Sequence, residues 1–134
     1  MKRPLLIAIS ALALAGSASS AITPKHGDYA VPQQVFDGMK QNFAADRARG
    51  VHTRYQFDLS GPNGGLWWIE VNDAHCHFGR GRIDHPGVTF LASDRDWVAL
   101  SNGTLSGIWA FVSGRLKIHG DQKLARELDD LFNR

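Results

Sequence analysis

Several residue types that mark particular classes of protein are scarce in this chain of 134 residues. The single cysteine, Cys76, excludes an intramolecular disulfide framework and any zinc site that needs two thiolates. Charged residues make up only 21% of the chain, with 15 basic residues against 13 acidic ones. Binding to DNA relies on a basic face that contacts many phosphates, so we expect no nucleic-acid partner.

Motifs of common catalytic sites are also missing. The chain has no G-x-S-x-G, no H-E-x-x-H and no glycine-rich phosphate loop leading into a helix. Asp94 and Asp96 could pair as acid and base, but they fall at a predicted helix start, where carboxylates cap the helix and complement its dipole. Cys76 is interpreted as a small buried residue rather than a nucleophile. We therefore predict no catalytic residues and no cofactor.

Two histidines on one predicted strand give a weak metal hypothesis. His75 and His77 project to the same side of a strand, about 6.5–7 Å apart. A metal site needs a third and usually a fourth ligand, for which Asp73 or His85 are candidates. The favoured interpretation is two polar residues on the wet face, with Cys76 and Phe78 facing inward, and hence no metal site.

The first 21 residues have the pattern of a secretory signal peptide. Lys2 and Arg3 are followed by the apolar residues 5–15, and Ser19 and Ala21 have the spacing of a cleavage site. The apolar run is shorter than the roughly 20 residues that span a bilayer. We expect a secreted or periplasmic protein with a flexible lead-in over residues 22–31 and one domain over residues 32–134.

Apolar residues make up 43% of the chain, which is typical of a globular domain. Helical spacing predicts a helix from Pro32 to about Arg49, and Gly50 would end it. Alternating patterns then predict three strands in a meander, a fourth strand, two short helices, a fifth strand and a final helix. This order predicts an α+β domain with a five-stranded, mixed but mostly antiparallel sheet and helices on one face.

Large apolar side chains are in excess on the two short helices. The second of them carries Ile108, Trp109, Phe111 and Val112. A helix with apolar residues on most faces contacts more than one apolar surface. From composition alone, the second surface is core, a partner or a bound apolar ligand.

At this point the sequence resembles a known family over residues 35–132. Residues 55–59 and 67–71, joined by a glycine-rich turn, are similar to the first hairpin of the sterol-carrier-protein type 2 domain, a lipid-binding and lipid-transfer module. Residues 88–97 resemble its fourth strand and acidic cap, and residues 114–121 its signature fifth strand. Two positions depart from the family pattern: Gly107 stands where a proline is usual, and Trp109 where a polar residue is common.

The resemblance implies an apolar tunnel between the sheet and the helices and no catalytic residues. It implies carriage of a fatty acid, acyl-CoA, phospholipid, or sterol-like or isoprenoid molecule, with transient membrane contact. The alternative is a ligand-free scaffold or dimerisation module that supports a partner enzyme. Carried over by position, the residues that would form the tunnel wall are Phe36, Met39, Phe90, Trp97, Leu100, Phe111, Val112, Leu124, Leu128 and Phe132.

The last helix is a candidate gate for such a tunnel. Its apolar stripe includes Leu124, Leu128 and Phe132 and must cover something apolar. We expect it to be held at its start, near Asp121, and free at Arg134. Terminal elements with few anchors open more readily than central strands.

Overall fold

A computed structural model of the chain describes residues 27–132. The predicted signal peptide and residues 22–26 of the lead-in lie outside the described residues. No helix within residues 27–132 has the length and apolar character needed to cross a membrane. The elements, in chain order, are α1 (Pro32–Gln41), a 3₁₀ turn (Ala45–Ala48), β1 (His52–Ser60), β2 (Gly65–Asn72), β3 (His75–Arg80), β4 (Val88–Ser93), α2 (Asp94–Asn102), α3 (Gly107–Val112), β5 (Lys117–Gly120) and α4 (Gln122–Phe132).

The five strands form one mixed sheet in the order β3-β2-β1-β4-β5. β1 and β4 are parallel neighbours at its centre, while the other three pairs are antiparallel. The α+β class and the mixed sheet predicted from the sequence are confirmed. In this register Phe57 lies beside Trp67 on one side and Phe90 on the other. Alternation along each strand therefore gathers the large apolar residues on one face.

Three helices pack on this inner face. Phe57 contacts Phe36 of α1 and Trp97 of α2, with ring centroids 5.0 and 5.1 Å apart. Phe78 meets Phe132 of α4 edge to face at 5.8 Å. The start of α2 agrees with the sequence prediction, because Ser93 Oγ accepts a hydrogen bond from the Asp96 backbone N–H at 3.0 Å. The core therefore lies between the inner face and the helices.

The outer face of the sheet is polar and partly closed by a loop. Arg54 and Glu70, on neighbouring strands, form an ion pair at 2.9 Å. The buried Gln56 side chain donates to the carbonyl oxygens of Trp67 and Gly81 and accepts from the Ile83 N–H. Two of these three bonds, those to Gly81 and Ile83, reach the loop after β3, so this loop is tied across the outer face.

Two expectations about the ends of helices are wrong. The first helix ends at Gln41, not near Arg49, because the Ala44 N–H donates to the Leu131 carbonyl oxygen at 2.8 Å instead of continuing the helix. The same bond ties down the end of α4, which the sequence left free. Tyr29, which lies within the predicted lead-in, has a buried side chain.

Candidate functional site

A cavity of about 680 Å³ lies between the β4–β5 end of the sheet and all four helices. This volume is typical of a site for one small-molecule ligand, since such pockets occupy roughly 300–1,000 Å³. Apolar side chains make up most of its wall: Val35, Met39, Phe90, Trp97, Leu100, Ile108, Phe111, Leu116, Ile118, Ala125, Leu128 and Phe132. The cavity can hold an apolar molecule.

The floor of the cavity is fixed by the sheet. Phe90 of β4 and Ile118 of β5 are register partners and both line the cavity. Behind them, Phe57 stacks on Phe90 with ring centroids 5.2 Å apart and planes inclined by 10°. Trp97 contacts both rings from α2. This aromatic layer holds the floor in one shape, because each ring is buried and contacts two others.

Polar groups also line the cavity. They are contributed by Tyr29, Asn42, Ser101, Asn102, Gln122, Arg126 and Asp129. Asn102 is already occupied: its amide accepts from the Tyr29 N–H and donates to the Tyr29 carbonyl oxygen, both at 2.9 Å. These two bonds close one side of the cavity with residues from the start of the described chain. Arg126 and Asp129 are exposed and bring one charge of each sign.

The indole N–H of Trp97 is a buried polar group. The Trp97 side chain lines the cavity, and its Nε1 is buried without a hydrogen-bond partner among residues 27–132. A buried donor without an acceptor is destabilising.

The structure brings seven of the ten predicted wall residues together around the cavity: Met39, Phe90, Trp97, Leu100, Phe111, Leu128 and Phe132. Phe36 lies below the wall, stacked between Trp67 and Trp97. Val112 is 72% exposed and does not line the cavity. Leu124 packs instead over Gly87, where an added Cβ would lie 2.6 Å from Leu124 Cδ1.

Several residues that line the cavity were not predicted from the sequence. Leu116, Ile118 and Ala125 were visible as members of apolar patterns, but nothing in those patterns separates a cavity wall from a closed core. Tyr29 gave no signal, because its place depends on hydrogen bonds to a residue 73 positions away.

The residues considered for catalysis or metal binding lie away from the cavity lining. His75 and His77 are exposed on β3, and the His75 ring nitrogen Nδ1 lies 3.0 Å from the Asp73 carbonyl oxygen. Within residues 27–132, no three His, Cys, Asp or Glu residues are grouped to hold a metal ion. Burial raises the pKa of the Cys76 thiol, an effect that the nearby Lys40 ammonium partly opposes. A raised pKa disfavours the reactive thiolate.

The two carboxylates at the start of α2 have structural partners. Asp94 is buried and accepts hydrogen bonds from the backbone N–H groups of Asn63 and Arg95. Asp96 forms an ion pair with Arg115. Both carboxylates are thus committed to holding loops against the helix.

A small α+β domain built around one apolar cavity is the structural class that these observations define. The chain belongs to the SCP-2 sterol transfer family, whose model matches residues 33–133. It is similar to hydroxysteroid dehydrogenase-like protein 2 of Bos taurus, with 34% identity over 102 residues, which is 75% of this chain and 24% of that protein. The chain thus spans about a quarter of this relative's length.

Two solved structures share the fold. Palmitated SCP2L2 from Aedes aegypti superposes with a TM-score of 0.64 at 19% identity, covering 78% of this chain and 96% of that one. The sterol carrier protein domain 2 of Helicoverpa armigera gives a TM-score of 0.57 at 33% identity, covering 72% of this chain and 83% of that one. Family membership predicted from the sequence is confirmed, and with it a general role in lipid binding or transfer.

Proposed function

We propose that this domain carries one long-chain apolar molecule in the cavity and makes or breaks no bond in it. The observation that carries the proposal is the cavity of about 680 Å³ with its mainly apolar wall. A chain whose interior was filled by its own side chains, as the scaffold alternative requires, would leave no such space. The palmitated state of the related Aedes aegypti protein supports a fatty acid as one ligand.

Burial alone provides enough affinity for such a carrier. Each CH₂ group removed from water contributes about 0.8 kcal/mol, and micromolar binding corresponds to about −8.2 kcal/mol. About ten buried methylene groups therefore reach micromolar affinity before any polar contact is counted. Acyl-CoA, phospholipid, and sterol-like or isoprenoid molecules share this driving force, so broad specificity is expected.

Native mass spectrometry of the recombinant protein, followed by titration of the delipidated protein with a fluorescent fatty acid, tests the proposal. We expect copurified lipid or a saturable one-to-one complex with micromolar Kd. Ala125→Phe places a ring in the cavity wall and should weaken binding, whereas Ala45→Phe, on the exposed 3₁₀ turn, should not. Neither copurified lipid nor saturable binding in the wild-type protein would overturn the carrier and favour the scaffold.

A second role as a partner module for an enzyme has a specific observation in its favour. The bovine relative is a dehydrogenase-like protein of which this chain matches only 24%. A separate or fused dehydrogenase-like domain could act on a molecule held in the cavity. Co-expression with a candidate dehydrogenase tests this role. The turnover rate of the dehydrogenase is compared in the presence of wild-type protein and of the Ala125→Phe variant, and only the wild type should increase it.

We also propose that the mature protein works outside the cytoplasm, on the pattern of residues 1–21. N-terminal sequencing of protein expressed in its native host tests this. A mature chain that starts at Ile22 in the extracytoplasmic fraction is expected. Cytoplasmic protein that retains residues 1–21 would overturn the proposal.

A further inference from the structure

Helix α3 exposes four large apolar side chains to solvent. Ile108 is 80% exposed, Trp109 61%, Phe111 44% and Val112 72%. We refer to these four residues as the α3 patch. Of the six residues of α3, Ala110 alone is buried. Contiguous apolar surface of this kind marks a site of interaction with another apolar surface.

The α3 patch is continuous with the cavity. Ile108 and Phe111 belong to the patch and also line the cavity, as does Gly107 at the start of α3. Trp109 and Val112 extend the same apolar surface away from the cavity lining. A molecule that leaves the cavity along α3 would therefore meet the patch first.

Charge around the patch favours a lipid surface. Between Trp97 and Gly120 the sequence contains no Asp or Glu, while Arg115 and Lys117 are exposed in this segment. Arg115 and the nearby Asp96 form an ion pair that offsets both charges, which leaves Lys117 as the net positive charge of this segment. Tryptophan at a membrane–water interface and cationic side chains near phosphate groups are both favourable. Acidic residues that would repel anionic headgroups are missing from this stretch.

The small size of the patch argues against a second copy of the chain as its occupant. A stable interface buries roughly 800 Å² on each partner. A helix of six residues is under two turns long and offers much less than this. Insertion of a few apolar side chains among lipids has no such requirement for area.

We infer that the α3 patch docks the mouth of the cavity on a bilayer surface, so that a ligand passes between membrane and cavity without crossing water. The inference rests on the proposed carrier function. Its physical basis is that each methylene group exposed to water during transfer raises the barrier. Direct docking removes most of this exposure.

Co-sedimentation with vesicles of phosphatidylcholine and phosphatidylglycerol tests the inference. The double variant Trp109→Ser with Val112→Ser changes only the two patch residues outside the cavity lining. Loss of even one buried apolar side chain changes partition by about tenfold, so we expect the double variant to partition at least tenfold more weakly. The matched variant Trp109→Phe with Val112→Leu keeps the patch apolar and should partition like the wild type.

Ligand binding without vesicles separates this inference from the carrier proposal. Both double variants should bind a fluorescent fatty acid in solution as the wild type does, because the cavity wall is intact. Equal vesicle partition of the serine variant and the wild type, or no partition by either, would overturn docking through α3 while leaving carriage untouched. A wild-type dimer in sedimentation velocity that the serine substitutions dissociate would also overturn it in favour of a second copy. If the wild-type protein binds no fluorescent fatty acid in solution, the carrier proposal is overturned instead.

Discussion

Arg126 is the cationic side chain that lines the cavity, at the exposed surface of α4. A fatty acid buried by its chain would leave its carboxylate among the polar lining groups, where the guanidinium can form a charge-assisted hydrogen bond. Exposure limits such a pair to a modest gain. Arg126→Gln should therefore weaken the binding of palmitate by about two- to fivefold.

The methyl ester of palmitate provides the ligand control, since it carries no charge and its affinity should be the same for both proteins. Arg95→Gln removes an exposed arginine outside the cavity lining and should change neither affinity. Competition against a fluorescent fatty acid measures the affinity of each protein for palmitate and for its methyl ester. Equal weakening of acid and ester by Arg126→Gln would show that Arg126 acts through packing, not charge.

Asp96 and Arg115 join the start of α2 to the segment before β5. Arg115 Nη2 lies 2.6 Å from Asp96 Oδ1, and this hydrogen bond is the main cause that holds the pKa of Asp96 below its ordinary value of 3.8. A carboxyl group whose pKa is lower in the folded state stabilises the fold above its unfolded pKa and loses that effect as pH falls through its folded pKa. The contribution is therefore present at neutral pH and disappears in the acid range below about 4.

Arg115→Gln should accordingly lower the free energy of unfolding at pH 7 and lower it less at pH 3. Urea denaturation of wild type and variant at both pH values provides the measurement. The two proteins should converge as Asp96 becomes protonated. A gap of the same size at pH 7 and pH 3 would mean that Arg115 stabilises the fold through contacts unrelated to the charge of Asp96.

Among the elements, α4 is anchored at its C-terminal end. Phe132 is 5% exposed and packs against Phe43 at 5.3 Å as well as Phe78. The Leu131 and Asp130 carbonyl oxygens accept hydrogen bonds from Ala44 N–H and Arg47 Nη1. Phe132→Ala should cost about 3–5 kcal/mol of the free energy of unfolding, as expected for a large buried side chain.

Phe111→Ala is the matched control for this substitution. Phe111 also lines the cavity, but it is 44% exposed on α3, so its truncation should cost much less. Chemical denaturation of the two variants compares them directly. A loss for Phe132→Ala as small as that expected for Phe111→Ala would contradict the assignment of Phe132 to the core and would favour the gate role of α4.

The strands and the start of α2 could be predicted from the sequence because their signals are local. Alternation in β1 and β2 and the Ser93 cap act over a few residues. The end of α1 could not, because the bond from Ala44 to Leu131 joins opposite ends of the domain. The candidate site was predicted in part for the same reason. The family resemblance, carried over by position, identified Trp97 and Leu128, but it also placed the exposed Val112 and the fully packed Phe36 in the wall.

At the scale of the whole molecule, the β1–β4 pairing divides the chain into two parts. β1, β2 and β3 form a meander of neighbours in sequence, whereas β4 reaches β1 only after the chain has passed through both other strands and the loop across the outer face. The cavity belongs mainly to the second part: apart from Tyr29, Val35, Met39 and Asn42, every residue that lines it lies at or beyond Phe90.

The formation of the parallel β1–β4 pair therefore determines the stage of folding at which the cavity forms. Long-range parallel pairing is slow to form, and a cavity assembled after it does not exist while the meander stands alone. A ligand then stabilises only the completed fold, so it should slow unfolding, by about a hundredfold at a free concentration of 100 Kd, and leave the refolding rate unchanged. Stopped-flow denaturation with and without palmitate measures both rates, and faster refolding with palmitate would show that the cavity forms early. In kinetic terms, the cargo lengthens the lifetime of the native protein without helping to make it.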